Sequence, residues 1–162
     1  MTEEYISGYL DCVSRIKGIY TPYLGGFNCF FGVDKKGEAN IQEELMEYLD
    51  SKKVYYDSRS IDLEALKNKI ELVEIEKWPI KLIPMIEKWT CDKLIEKEKG
   101  KNGDYLSEYL VKLIADFLPK DNTKLYKINP DSMLWPWGDN ISEEYLFETK
   151  DKFYILHFGE SS

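Results

Sequence analysis

Histidine is almost missing from this chain. His157 stands alone, so a histidine-based metal cluster or a relay of several imidazoles has no residues to be built from. Arginine is nearly as scarce, present only as Arg15 and Arg59. With a formal net charge of −8, no clustered basic surface is expected that could hold a phosphate backbone, and direct nucleic-acid binding is not predicted. Cysteine is limited to Cys12, Cys29 and Cys91. These are odd in number, far apart and never in CxxC spacing, which argues against a disulfide framework and a zinc knuckle and reads as three buried thiols. Gly25-Gly26, Gly37 and the Gly100 to Gly103 stretch form neither GxGxxG nor GxxxxGK[ST], so no phosphate-cradling loop is expected. No apolar run reaches membrane-spanning length, and Glu3 and Glu4 stand where an export signal would carry positive charge. The expected location is the cytoplasm, without a membrane partner.

What the chain does have is apolar and aromatic bulk. Its 162 residues are 43% hydrophobic and 14% aromatic, enough for one core in a single globular domain over residues 1–162. Heavy use of Lys, Glu, Ile, Tyr and Asn with little Ala or Arg suggests an AT-rich bacterial genome. The clearest helix runs from Asp104 to Leu118. Leu106, Tyr109, Leu110, Leu113, Ile114 and Phe117 share one side, with Asp104 as N-cap and Pro119 as stop.

Thr2 opens a first helix, with Ile6, Tyr9, Leu10, Val13 and Ile16 inward and Gly18 as its end. A strand is expected over Phe27 to Val33, where apolar and small residues alternate. Asn40 with Glu43 resembles a capping box for a helix burying Ile41, Leu45, Tyr48 and Leu49. Val54-Tyr55-Tyr56 has strand propensity. A charged helix over Ile61 to about Glu74 and a strand at Leu72 to Ile75 remain alternatives. Pro79 to Lys97 reads as a helix that starts near Pro84 or kinks there, followed by a solvated turn into the Asp104 helix. Leu125, Tyr126 and Ile128 suggest a short strand, and Tyr145 to Thr149 with Phe153 to Phe158 a hairpin across Lys150-Asp151-Lys152. The fold class is therefore α+β: several amphipathic helices packed on a small, mainly antiparallel sheet with a C-terminal β-hairpin.

Chemistry is harder to find. Cys29 and His157 form the only nucleophile and base pair the chain offers, but Cys29 sits within Phe27 to Phe31, where a thiol behaves as a small hydrophobe. No catalytic residue, metal or cofactor is assigned. Two acidic clusters stand out: Glu43, Glu44, Glu47 and Asp50 on one helix face, and Asp139, Glu143, Glu144 and Glu148 just after Trp135-Pro136-Trp137. They read either as ordinary solvated faces or as a preformed negative surface, with Trp135 and Trp137 as anchors, for a basic protein.

The C-terminal sequence Leu134-Trp135-Pro136-Trp137-Gly138, followed by Tyr145 to Thr149 and Phe153 to Gly159, resembles bacterial immunity proteins of polymorphic toxin systems. That resemblance implies a non-catalytic cytosolic antidote that binds a cognate toxin domain, often a nuclease, and blocks its active site or substrate groove. The partner-binding residues would then be Glu43, Glu44, Glu47, Asp50, Trp135, Trp137, Asp139, Glu143 and Glu144. The alternatives are a small cytosolic enzyme with Cys29 as nucleophile, or a housekeeping adaptor domain.

Overall fold

Alternation along the strands sets the architecture. A computed structural model describes residues 1–20, 25–37, 39–90, 106–119, 121–131 and 141–161. Its elements, in chain order, are α1 (Glu3–Tyr20), β1 (Gly25–Asp34), α2 (Ile41–Ser51), α3 (Lys53–Ser58), α4 (Leu63–Lys67), β2 (Glu71–Glu74), α5 (Trp78–Thr90), α6 (Leu106–Phe117), β3 (Lys124–Asn129), β4 (Ile141–Glu148) and β5 (Lys152–Ser161). The strands form one antiparallel sheet in the order β1-β5-β4-β3-β2. The fold is α+β, and β4 and β5 are the expected hairpin.

Because successive strand residues point to opposite faces, the sheet has two apolar sides, and helices cover both. On one side Phe30, Leu125, Tyr145, Phe147, Leu156 and Phe158 pack with Ile6 and Leu10 of α1, Leu82, Ile86 and Trp89 of α5, and Leu110, Val111, Leu113 and Ile114 of α6. On the other, Tyr126, Ile128, Leu146, Phe153 and Ile155 meet Ile41, Leu45 and Leu49 of α2, Tyr56 of α3, and Leu63 and Leu66 of α4. The result is three layers, with β4 and β5 in the middle of the middle one.

The stripe read from α6 is buried at Leu110, Leu113 and Ile114, while Tyr109 at its margin is 41% exposed. Asp104, its expected cap, lies outside the described residues, as does Cys91. The Asn40 side chain caps α2 as read, accepting from the Glu43 N–H at 3.1 Å. Gly18 does not end α1, which continues to Tyr20. Packing against β1 and α6 outweighs the roughly 1 kcal/mol cost of an internal glycine. Val54 to Tyr56 is helix α3 rather than a strand, because the helical turn buries Tyr56 and leaves Val54 83% exposed. Between Ile61 and Glu74 both alternatives occur in sequence, a five-residue helix capped by Asp62 and then strand β2. Pro84 falls inside α5, which starts earlier at Trp78. Leu82 and Ile86 on either side of it are fully buried, and that burial offsets the about 3 kcal/mol an interior proline costs.

β1 is a long edge strand with Gly32 directly opposite Tyr154. A Cβ on Gly32 would meet the Tyr154 ring at 2.7 Å, so the tyrosine covers the gap that the glycine leaves and also stacks on Phe30 at 5.4 Å. α1 lines the same side of the strand: the Ser7 hydroxyl donates to the Phe30 carbonyl at 2.9 Å. At its far end Lys17 pairs with Glu160 of β5 and lies over the Trp89 ring.

Leu110→Ala and Leu113→Ala are each expected to lower stability by about 2–5 kcal/mol, since both side chains sit where α6 meets the sheet and α5 and their loss leaves a cavity. Urea unfolding at equilibrium measures this, and losses below 1 kcal/mol would make α6 peripheral.

Candidate functional site

The acidic residues singled out in the sequence take three different roles. Glu43, Glu47 and Asp50 are exposed on α2, within about one quadrant of the helix circumference given 100° per residue. Lys36 pairs with Glu47 at 3.5 Å and Lys67 with Asp50 at 2.9 Å. Glu44, by contrast, is only 3% exposed. Its two oxygens accept the backbone N–H groups of Lys36 and Gly37, at 3.0 and 3.1 Å, and so it shapes the turn between β1 and α2 rather than facing a partner.

Glu143 and Glu144 do not form part of a surface cluster. They lie within β4, at 5% and 0% exposure, because the strand begins at Ile141 rather than near Tyr145. As neighbours in a strand they point to opposite faces. Glu143 enters the layer of α5, where it accepts from Lys88 Nζ at 2.8 Å, Trp89 Nε1 at 2.8 Å, Lys127 Nζ at 3.2 Å and the Tyr145 hydroxyl at 3.2 Å. Burial pushes its carboxyl up, but the hydrogen bonds from Lys88 and Trp89 and the charges of Lys127 and Lys88 together hold it below the ordinary value. Burial also drives the Tyr145 phenol upward, and the Glu143 charge adds to this. Trp135, Trp137 and Asp139 lie outside the described residues. Glu148, at the other end of β4, accepts from Lys35 and from the Tyr126 hydroxyl, each at 3.0 Å.

Glu144 enters the opposite layer. Its Oε1 accepts from the Ser142 hydroxyl at 2.6 Å and from His157 Nδ1 at 3.0 Å. Its Oε2 is buried without a hydrogen-bond partner among the described residues, an uncommon and costly state for a carboxylate. The strand register sets His157 directly between Glu144 on β4 and Cys29 on β1, so all three side chains share one row and one face. Cys29 is half-buried and outside any disulfide, so the expected fully buried thiol is not found. Nor is Cys12 buried, being exposed on α1. Pairing of the first and last strands was invisible in the sequence, since no local pattern specifies which strand β1 joins.

Among the described residues no group of three His, Cys, Asp or Glu side chains is placed to hold a metal ion, and no helix is long and apolar enough to cross a membrane. A shallow cavity of about 230 Å³ lies between the start of α5 and the end of α6, lined by Trp78, Pro79, Ala115, Asp116, Pro119 and Thr123. With one carboxylate and no converging polar groups, it falls short of a typical ligand site.

No family model matches the chain, and no curated protein does either. Two crystal structures of citrus MAF1 are similar in fold. One, in space group C 2 2 21, aligns over 99% of this chain and 99% of its own with a TM-score of 0.55 and 15% identity. The other, in space group P 31 2 1, covers 95% of this chain and 97% of its own at a TM-score of 0.52 and 15% identity. At that identity the likeness is one of fold alone, and residue roles do not transfer with it.

Because its folded carboxyl lies below the ordinary value of 4.5, the stability Glu143 supplies is fully present above that value and is lost as pH falls through the lower folded one. Glu143→Gln should therefore cost about 1–3 kcal/mol at pH 7, with the gap to the unaltered protein narrowing only as pH falls below the ordinary carboxyl value of 4.5. Urea unfolding on both sides of that value checks this, and a gap that stays constant would mean that charge is not its origin.

Proposed function

We propose that this protein is a non-catalytic binding protein of the immunity type, which neutralises a cognate basic toxin domain through the outer face of α2. The observation that carries the reading is the grouping of Glu43, Glu47 and Asp50, all exposed and close together on a surface helix, in a chain of net charge −8. Helix α2 is anchored from beneath by Ile41, Leu45 and Leu49, and its start is fixed by Asn40 and its preceding turn by Glu44. The carboxylates are therefore carried on a rigid element, so little conformational freedom is lost when a partner docks. A negative patch of this kind steers a basic partner from a distance and accelerates encounter. The C-terminal resemblance to immunity proteins and the basic grooves of nucleases fit the same picture.

The test is a search of the genes neighbouring this chain's for a basic toxin domain, followed by binding of that domain to the unaltered protein and to a combined reversal, Glu43→Lys with Glu47→Lys and Asp50→Lys. Association should slow about tenfold or more at low salt, and its salt dependence should flatten. Thermal stability should move little, since exposed charges contribute about 1 kcal/mol or less. Unchanged association kinetics would remove α2 from the interface, and absence of binding by the unaltered protein would end the immunity reading.

A further inference from the structure

β1 and β2 are the edges of the sheet, and their outer rims are met differently. Along β1 the Lys35 N–H bonds the Asp151 carbonyl, which by the alternation of an antiparallel pair turns the N–H and C=O groups of the even-numbered residues outward. Helix α1 reaches that rim, where Ser7 donates to the Phe30 carbonyl. Along β2 the Ile75 N–H bonds the Leu125 carbonyl at 2.7 Å. The same alternation gives Glu71 and Val73 to β3 and turns the N–H and C=O of Leu72 and Glu74 outward. Nothing among the described residues bonds to those outward groups. We infer that the outer edge of β2 is a docking site for a short, extended, basic segment of a partner protein, which joins the sheet as a further strand.

The strand is already shaped for this. It pairs residue for residue with β3 from Glu71 to Glu74, without proline and without a bulge. Edges are commonly blunted by lysine, proline, a bulge or a covering element, and β2 carries glutamates instead. Its two ends are anchored: Ile70 and Ile75 are only 7% and 9% exposed, and Gln42 of α2 donates to the Ile70 carbonyl at 3.2 Å. A strand already held in extended geometry loses little freedom when another is added. Its shortness limits indiscriminate growth of the sheet.

Charge chooses the occupant. Glu71 and Glu74 are exposed, and neither forms an ion pair among the described residues. Between them Val73 is 42% exposed and Leu72 is half-buried. An added strand sets one residue opposite each of these, close enough for the side chains to interact. The complementary segment is therefore basic, apolar, apolar, basic, a pattern that reads the same in either strand direction. Lys69 and Lys77 stand outside the paired stretch. A second copy of this chain fits poorly, because β2 centred on another β2 sets carboxylate against carboxylate at both ends, and like charges directly opposite are destabilising. The site is separate from the outer face of α2 and does not depend on the role proposed for it.

Two blocked peptides test this on the full chain, one of sequence Thr-Lys-Val-Ile-Lys-Thr and its charge-reversed counterpart Thr-Glu-Val-Ile-Glu-Thr, followed by amide NMR spectra and amide hydrogen exchange. The lysine peptide should shift the Leu72 and Glu74 amides and slow their exchange, and it should bind about tenfold or more tightly than the glutamate peptide. Glu74→Pro removes an outward N–H and no bond to β3, so the ladder survives while binding of the lysine peptide is lost. Glu71→Lys with Glu74→Lys, both at exposed positions, should reverse the preference between the peptides. Shifts confined to α2 around Glu43, Glu47 and Asp50 would overturn the inference, since they report attraction to the other acidic face. Equal binding of the two peptides by the unaltered protein overturns it too, as does full binding by Glu74→Pro or the absence of any shift at about 1 mM peptide.

Discussion

Two adjacent carboxylates in a central strand, each forced into a different apolar layer, constrain the rest of this structure. Strand geometry sends Glu143 and Glu144 to opposite faces, and both faces are roofed by helices. Neither group keeps its water, so each must be met by protein. Around Glu143 the answer is positive charge and donors brought from α5 and β3, which ties the position of α5 to the chemistry of β4. Around Glu144 the answer is a serine from its own strand and a histidine from β5. Removing a partner from such a site strands a buried charge at a cost of about 3–5 kcal/mol. The Glu143 network thereby ties α5 to the sheet, while the Glu144 contacts run within the sheet between β4 and β5.

Much of the scaffold was legible because its signals are local. The α6 stripe, the Asn40 cap and the hairpin around Lys150-Asp151 are each written within about a dozen residues, and each formed. Val54-Tyr55-Tyr56 went the other way because β-propensity is weak beside the burial of a single tyrosine under α2 and α4. Glu143 and Glu144 look like surface residues in the sequence because charge runs usually are. A signal against that reading existed in the hairpin itself: the apolar alternation of β5 continues through Phe158, and its partner must extend back to Glu143 to pair with it. The Cys29, His157 and Glu144 row had no such signal. It depends on two long-range pairings and on their register, and a shift of one residue would send His157 to the other face.

The likeness to citrus MAF1 spans nearly the whole chain at 15% identity, which fits a scaffold whose demands are patterning and volume rather than particular side chains. What distinguishes this chain must then lie in features the scaffold does not require. The carboxylates on α2 and the polar row beneath the same layer are of that kind, since a helix would bury its inner face equally well without the first and a sheet would pack better without the second.

The pairing of β1 with β5 also governs the order of events as the chain is made. These strands lie over a hundred residues apart in sequence, and β5 is the element that joins β1 to the rest of the sheet. Until the last strand has left the ribosome, β1 has no backbone partner and α1 has only part of its docking surface. The nascent chain must therefore carry an unpaired aromatic strand through most of its synthesis, a high-contact-order assembly that closes late and is exposed to misassociation until it does. Gly32 and the glycines that open β1 lower the β-propensity of that waiting segment, so it is less apt to pair with another copy before its own partner arrives.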